Sequence, residues 1–186
     1  MSNSVQDLNL YKNPKDFRGK SAIIVQLWWI VQGTLFAMSP QFLYGWRRFL
    51  LRCFGAEIGK NVIVRPSAQF TYPWKVKIGD YSWIGDDVVL YSLGDIIVGE
   101  NTVISQKSYI CTGTHDYSKQ DFPILEKRII IGDECWLATD VFVSPGVTIN
   151  NGVVVGARST VIKDLEAHSV YVGSPVRFIK KRKLEQ

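Results

Sequence analysis

The sequence predicts a mainly β protein folded as a parallel β-solenoid of about five laps, and three observations carry that prediction. Between Glu57 and Val161 aliphatic or aromatic residues recur every six positions; a small or apolar residue follows each of them four positions later; and glycine often stands directly behind the first. An α-helix drifts against a strict period of six because it turns once in about 3.6 residues, and an alternating strand has period two. A six-residue word read three times per lap describes three short flat faces with a corner after each, stacked so that the first residue of every word points inward.

The inward posts define the laps. Ile58, Val64 and Phe70 form the first, Ile78, Ile84 and Leu90 the second, and Val98, Ile104 and Ile110 the third. Ile131, Leu137 and Val143 form the fourth, and Ile149, Val155 and Val161 the fifth. The step is six within each triplet and eight between the first three triplets, which predicts two-residue bulges at one corner. The second register runs Val62, Ala68, Ser82, Val88, Thr102, Ser108, Thr114, Cys135, Val141, Val147, Val153 and Ser159. Gly59, Gly79, Gly85, Gly99, Gly132 and Gly156 follow their posts, where a tight corner would ask for an unusual backbone conformation.

Upstream of the repeats, residues 1–20 read as a polar, loosely ordered lead-in carrying Lys12, Lys15, Arg18 and Lys20. The spacing of Ile23, Leu27, Ile30, Val31, Thr34 and Leu35 predicts a helix from Ser21. The uncharged stretch Ser21 to Met38 lies at the lower edge of a membrane span and is interrupted by Gln26, Gln32 and Gly33. A second helix is expected to begin at Ser39-Pro40, with Ser39 as cap, and to run through Phe54 to Gly55. The chain thus divides into a helical segment 1–56, a solenoid 57–168 with an excursion over 116–130, and a basic exit segment 169–186. The helices either cover an open end of the solenoid or make peripheral membrane contact through residues 21–54. Trp, Phe and Leu beside Arg47, Arg48 and Arg52 is an interfacial composition.

The chain is long enough for one substantial core, and 46% hydrophobic with 21% charged residues excludes disorder. A net charge of +5 suits an anionic cofactor, a membrane surface or nucleic acid. No basic stripe with interleaved aromatics stands out, so no nucleic acid is expected. Cys53, Cys111 and Cys135 lack CxxC spacing and read as reduced, mostly buried thiols. Two histidines are too few for a three-histidine centre, and no metal is expected. No cleavable signal sequence is evident, which suits a cytoplasmic chain, held at the inner membrane face if residues 21–54 touch lipid.

The chemistry is expected where the period stops. After Ile110 the text runs Cys111-Thr112-Gly113-Thr114-His115-Asp116, and the six-residue step resumes only at Ile131. A scaffold that breaks its own rule to present a titratable side chain marks a candidate site. A neutral imidazole, with an unperturbed pKa of ~6.5, suits removal of a hydroxyl proton at neutral pH. Asp116 either orients the imidazole or begins the excursion. His168 lies beyond the last post and reads as a surface residue.

With these words in place, the chain resembles the hexapeptide-repeat acyltransferases, whose word is aliphatic-Gly-x-x-small-x. Within them it is similar to the sugar O-acetyltransferases of the galactoside and maltose type and those of exopolysaccharide biosynthesis. The likeness is carried by Val25–Trp29, Leu35–Tyr44, Thr71–Lys75, Gly85–Val88, Ile104–Tyr109, Thr112–Asp116, Cys135–Ile149 and the closing Val170–Arg177. It implies a left-handed solenoid, His115 as catalytic base, and acetyl-CoA as co-substrate. It also implies a homotrimer with sites between chains and an excursion that reaches over a neighbour. The family's cofactor positions fall on Thr139, Ala157, Lys163, Arg177 and Lys180. Thr139 and Ala157 would offer backbone groups to the pantetheine arm, and Arg177 and Lys180 would meet phosphates. Backbone N–H groups around Cys135–Thr139, beside the groove wall at Trp136, would face the oxyanion. On the acceptor side the resemblance points to Thr71, and Asp87 and Asp116 are the carboxylates expected to join it. The galactoside enzymes' acceptor Asn and acidic position fall on Gly85 and Leu93, so Asp86 and Asp87 are expected to take over hydroxyl binding. The expected reaction is O-acetylation of a sugar, free or within a lipid-linked oligosaccharide. The alternatives are N-acetylation of an amino-sugar nucleotide and a non-catalytic solenoid subunit of an assembly.

Overall fold

The fold is taken from a computed structural model that describes residues 4–183. All fifteen posts point inward, and the most exposed of them, Ile58, is 7% accessible. Each fully buried aliphatic post contributes about 1.5–3 kcal/mol relative to an exposed one, so the ladder dominates the core. The posts stack in register as parallel strands of two or three residues on three faces. The first face carries Ile58, Ile78, Val98, Ile131 and Ile149. The second carries Val64, Ile84, Ile104, Leu137 and Val155, and the third Phe70, Leu90, Ile110, Val143 and Val161. Going round each coil, the first corner joins the first and second faces, the second corner the second and third, and the third corner returns to the first face. The two longer steps are absorbed at the third corner, the earlier one by a 3₁₀ turn over Pro73–Lys75.

A sixth, irregular coil continues past the five expected. Leu165 bridges to Ile149, Ser169–Val172 pairs with Val154 and Val155, and Val176 N–H donates to the Thr160 carbonyl. Leu165, Tyr171 and Val176 are buried like posts, although the steps into Leu165 and on to Val176 fall short of six. Arg177–Lys181 then folds back antiparallel on Ser169–Val172 at the end of the second face.

The second register is buried throughout except at Thr114, where the chain leaves the coil. Its hydroxyls tie coils together. Ser82 Oγ donates to Gly99 O at 2.7 Å and accepts from Thr102 N–H at 2.9 Å, and Thr102 Oγ1 does the same with Gly132 O and Cys135 N–H. The reason for the post-following glycines differs from the expected one. None of the six has positive φ; the left-handed backbone falls two residues later, at Asn61, Tyr81, Asp87, Asn101, Glu134 and Arg158, and in the same position of two words without the glycine, at Lys107 and Asp140. The glycines are needed because coils touch there. A Cβ at Gly79 would lie 2.7 Å from the backbone of Gly99 and Glu100.

The helical segment contains α1, Ala22–Val31, which continues into a π-helical turn Gln32–Phe36, and α2, Tyr44–Cys53. Ser39-Pro40 does not start α2; Leu43 is its cap, and Ser39 serves Arg47 instead. Gly55, at φ +90°, ends the helix as expected. The three arginines do not decorate an open apolar surface. They turn toward the first coil, whose outer edge has no strand beyond it. Arg47 is fully buried and donates to Val64 O, Pro40 O, Gln41 O and Ser39 Oγ. Arg48 donates to Val62 O, and Arg52 to Ile58 O and Gly59 O. Trp28 Nε1 adds a bond to Phe70 O, and Gln32 Oε1 accepts from Phe70 N–H. The helices therefore cap the solenoid. What capping leaves unexplained is the outer side, where Ile23, Leu27, Trp29, Ile30, Leu35, Met38, Phe42 and Phe49 are exposed.

Two further expectations change. The lead-in is ordered over the described residues: Asp7 N–H donates to Gln120 O, and the Arg18 and Phe17 carbonyls accept from Trp74 Nε1 and Lys75 Nζ. Among the thiols, only Cys135 is buried; Cys111 is half-buried and Cys53 exposed, since Cys53 ends α2 on its outer side.

Candidate active site

The excursion is a β-hairpin standing on the third corner of the third coil. Gly113–His115 pairs antiparallel with Ile124–Glu126, His115 opposite Ile124, and the turn spans 116–123. Its base is held by Thr112, whose carbonyl accepts from Lys127 N–H and whose buried Oγ1 donates to Tyr91 O at 2.7 Å. Lys75 pins the return strand through Glu126 at 3.0 Å. His115 thus rides on a fixed strand end rather than on a loose loop.

The imidazole is oriented by a backbone group. Its Nδ1 lies 2.9 Å from the Phe122 carbonyl, and its ring stacks on the Phe122 ring at 4.2 Å and 9°. A carbonyl oxygen only accepts, so Nδ1 carries the proton and Nε2 keeps its lone pair for an incoming hydroxyl. Phe122 holds this position with φ +46°, a left-handed value that a bulky residue rarely adopts. Nothing in the sequence marks Phe122, because the contact is made by a main-chain oxygen. Asp116 does not orient the ring. Its carboxylate accepts from Ser118 N–H at 3.1 Å and Ser118 Oγ at 2.5 Å, which holds its pKa below the usual value, and it begins the turn.

The other predicted residues separate by corner. Thr71 shares the third corner with His115, and Lys163 lies on that corner two coils above it. Asp87, Thr139 and Ala157 lie on the second corner, across the width of the third face. Trp136 stands on the second face, opposite the third corner, and donates Nε1 to Ser105 Oγ at 3.0 Å. Arg177 and Lys180 are exposed on the last strand, at the end of that face. Lys163, Arg177 and Lys180 make no ion pair among the described residues. A single chain therefore does not gather these groups around His115. Asp86 is already committed to Arg65 at 2.8 Å, which leaves the exposed Asp87 as the free carboxylate of the pair. Leu93 is buried with Val25 and Tyr72 in a small second core beneath the hairpin.

The second corner carries an unexpected row of donors. On the first corner, the Lys60, Glu100 and Asp133 N–H groups are capped by Asp80, Asp133 and Asn151 side chains. On the second, the equivalent N–H groups of Asp86, Gln106, Thr139 and Ala157 find no acceptor among the described residues. Within Cys135–Thr139, coil stacking consumes the N–H groups of Cys135, Trp136 and Ala138, while that of Thr139 stays open. Among the described residues no three His, Cys, Asp or Glu side chains are grouped to hold a metal ion.

No protein-family model matches the chain. WcaF of Escherichia coli (strain K12), the acetyltransferase assigned to colanic acid biosynthesis, is 61% identical over 178 residues, covering 96% of this chain and 98% of its own. The chain belongs to the hexapeptide-repeat acetyltransferases. Galactoside O-acetyltransferase of the same organism is 28% identical over 137 residues, 72% of this acetyltransferase and 68% of its own length. A maltose O-acetyltransferase from Clostridium difficile 630 superposes with a TM-score of 0.79 at 27% identity, over 88% of this chain and 90% of that one. A hexapeptide-repeat acetyltransferase from Vibrio cholerae, solved with acetyl-CoA, shares the fold at a TM-score of 0.78 and 24% identity, over 89% and 92% of the two chains. The left-handed solenoid that the resemblance implied is the fold of these neighbours.

Proposed function

We propose that the chain is an acetyl-CoA-dependent O-acetyltransferase acting on a sugar hydroxyl in exopolysaccharide biosynthesis of the colanic acid kind. The observation that carries the mechanism is the Phe122 carbonyl on His115 Nδ1, which leaves Nε2 as the proton acceptor. Nε2 takes the proton of the sugar hydroxyl as its oxygen attacks the thioester carbonyl. The developing oxyanion is met by main-chain N–H groups, of which that of Thr139 is the free one in its stretch. Collapse breaks the C–S bond, and the imidazolium returns its proton to the leaving thiolate. Replacing His115 with Ala removes a base whose contribution is typically 10²–10⁴-fold. The test is release of free thiol from acetyl-CoA in the presence of methyl hexopyranosides or 4-amino-sugar nucleotides. Undiminished turnover in H115A would sink the base assignment, and turnover on the amines alone would favour N-acetylation.

The coenzyme is assigned to the second corner, with its thioester end at Thr139, the Ala157 N–H along the pantetheine arm, Arg177 and Lys180 toward its phosphates, and Lys163 reaching them from the third corner of a neighbouring copy. His115 lies across the third face from that row, and Trp136 and Asp87 are likewise remote from His115. We therefore assign the complete site to the groove between copies of the chain in a homotrimer, with Thr71, Asp116 and a neighbour's Asp87 on the acceptor side. Mixing inactive H115A subunits with inactive A157W subunits should restore part of the activity. Two mutants that stay inactive when mixed would argue for a site within one chain.

The exposed apolar side of α1 and α2, apart from Trp29, which turns toward the third face, is assigned to the cytoplasmic face of a membrane, where a lipid-linked acceptor would be met. No helix among the described residues is long and apolar enough to cross a bilayer. From Ser21 to Ala56 there is no acidic residue, and the preceding lead-in adds Lys12, Lys15, Arg18 and Lys20. Flotation with vesicles containing phosphatidylglycerol should carry the wild type and leave the Ile23→Glu/Ile30→Glu double variant behind. Equal flotation of both would remove the assignment.

A further inference from the structure

The third face, beside the His115 hairpin, has a hollow that neither the base nor the coenzyme positions use. It measures about 450 Å³, within the range of small-molecule sites. Trp29 and Gln32 reach it from the helical segment, Gln69 and Thr71 line its lower part, and Tyr91 and Tyr109 form its wall. Tyr91 adjoins the base of the hairpin: a Cβ placed on Gly113 would lie 2.9 Å from its ring, and Cys111 is its strand partner. The aromatic wall continues upward, Tyr91 to Tyr109 at 6.0 Å and Tyr109 to Phe142 stacked at 6.1 Å.

The lining combines flat apolar rings with polar groups that the chain leaves unused. Four of the six tryptophans, Trp28, Trp46, Trp74 and Trp136, donate Nε1 to a partner in the chain, but Trp29 does not. Among the described residues, the Tyr91 and Tyr109 hydroxyls, the Gln69 amide and the Thr71 hydroxyl also lack hydrogen-bond partners. Burial pushes both phenols above their usual range, so they remain protonated donors. In contrast, Gln32 Oε1 accepts from Phe70 N–H at 2.6 Å, while its NH₂ group has no partner among the described residues. Such a lining complements a ring that has an apolar C–H face and a rim of hydroxyls.

We propose that this hollow is a pyranose-binding subsite in which Tyr91, Tyr109 and Trp29 contact the ring face and Gln69, Gln32 and Thr71 bond its hydroxyls. It deepens the acetyl-transfer reading on which it rests, because it places the acceptor sugar against the face from which the His115 hairpin rises. It also makes the helical segment a wall of the site, so specificity for the sugar is set partly by residues outside the repeats.

The test measures acetyl transfer from acetyl-CoA to a panel of methyl hexopyranosides and methyl 6-deoxyhexopyranosides. Saturation-transfer NMR with the same glycosides reads binding without turnover. Trp29→Ala and Tyr109→Leu should raise the glycoside KM at least tenfold and abolish the saturation signal. The acetyl-CoA KM, kcat and oligomeric mass should stay within about twofold of wild type. Gln69→Ala, which removes hydrogen bonds from an exposed position, should raise the glycoside KM severalfold if either larger truncation fails to fold. An acetyl-CoA KM that rises instead would assign the hollow to the coenzyme. A fall in oligomeric mass would make it a contact between copies, and unchanged glycoside KM or absent glycoside binding to wild type would overturn the subsite. A wild type that binds glycosides but acetylates none of them would count against the acetyl-transfer reading and leave the subsite standing.

Discussion

Replacing Arg47 with methionine should destabilise the protein by about 2–4 kcal/mol, and the figure follows from what the guanidinium does. It is fully buried and serves four acceptors: Val64 O at 2.6 Å, Ser39 Oγ at 2.7 Å, Pro40 O at 2.9 Å and Gln41 O. Hydrogen bonds to charged groups are worth about 1.5–3 kcal/mol each, so simple addition would give an unrealistically large sum. Two corrections reduce it. Removing the cation also removes its desolvation penalty, the same burial that lowers the Arg47 pKa. The Pro40 and Gln41 carbonyls lie nearer the surface and recover water, whereas Val64 O faces the end of the solenoid with no other donor. One or two orphaned buried acceptors, at about 1–3 kcal/mol each, remain. For a domain of this size that corresponds to a fall of roughly 4–16 °C in Tm. Urea titration followed by tryptophan fluorescence gives the midpoint, and Arg47→Lys should recover less than half of the loss, since one ammonium cannot span the four acceptors. The folded fraction of R47M should keep its catalytic rate, because the His115 hairpin stands two coils away. An R47M midpoint equivalent to less than about 0.5 kcal/mol of loss would refute the capping argument.

Two coil substitutions should behave in opposite ways. Gly79→Ala is expected to lose about 1–3 kcal/mol in the same titration, because its Cβ would meet the backbone of Gly99 and Glu100 at 2.7 Å. Tyr81→Gly, two residues on at φ +59°, should be neutral or gain up to about 1 kcal/mol, since glycine relieves the left-handed strain. The Asp116 carboxyl should titrate below the ordinary Asp range by NMR, and Ser118→Ala should bring it back up. Its contribution to stability is present above the unfolded-state pKa and lost as pH falls through the lowered folded value, so the wild type and S118A should differ at neutral pH and converge in strong acid.

The repeat fold was legible because a solenoid writes its geometry as a period: within each lap from Ile58 to Val161 the posts had to be apolar at a six-residue spacing to point inward. The sixth coil was less legible because short steps before Leu165 and after Tyr171 break the spacing while the burial is kept. His115 was legible as a rupture of the period. What holds it was not, since the Phe122 carbonyl is a backbone atom whose position depends on a hairpin turn. Asp116, the adjacent carboxylate that sequence spacing offers as an orienting group, bonds its own turn instead.

Sequence by itself therefore determined the solenoid, its inward ladder, the family and the place where the period breaks at His115. Tertiary structure decided which groups meet. Corner and face assignments separate Thr139, Ala157 and Asp87 from His115 by a face of extended chain, on the order of 15 Å at about 3.3 Å per residue. Structure also decided that three arginines close an open strand edge rather than decorate a surface, and that a tryptophan and a glutamine of the helical segment line a hollow on the third face. The physical reason is the same in each case. A local pattern specifies which way a side chain points, whereas partners distant in sequence are set by how the coils stack and where the excursions return.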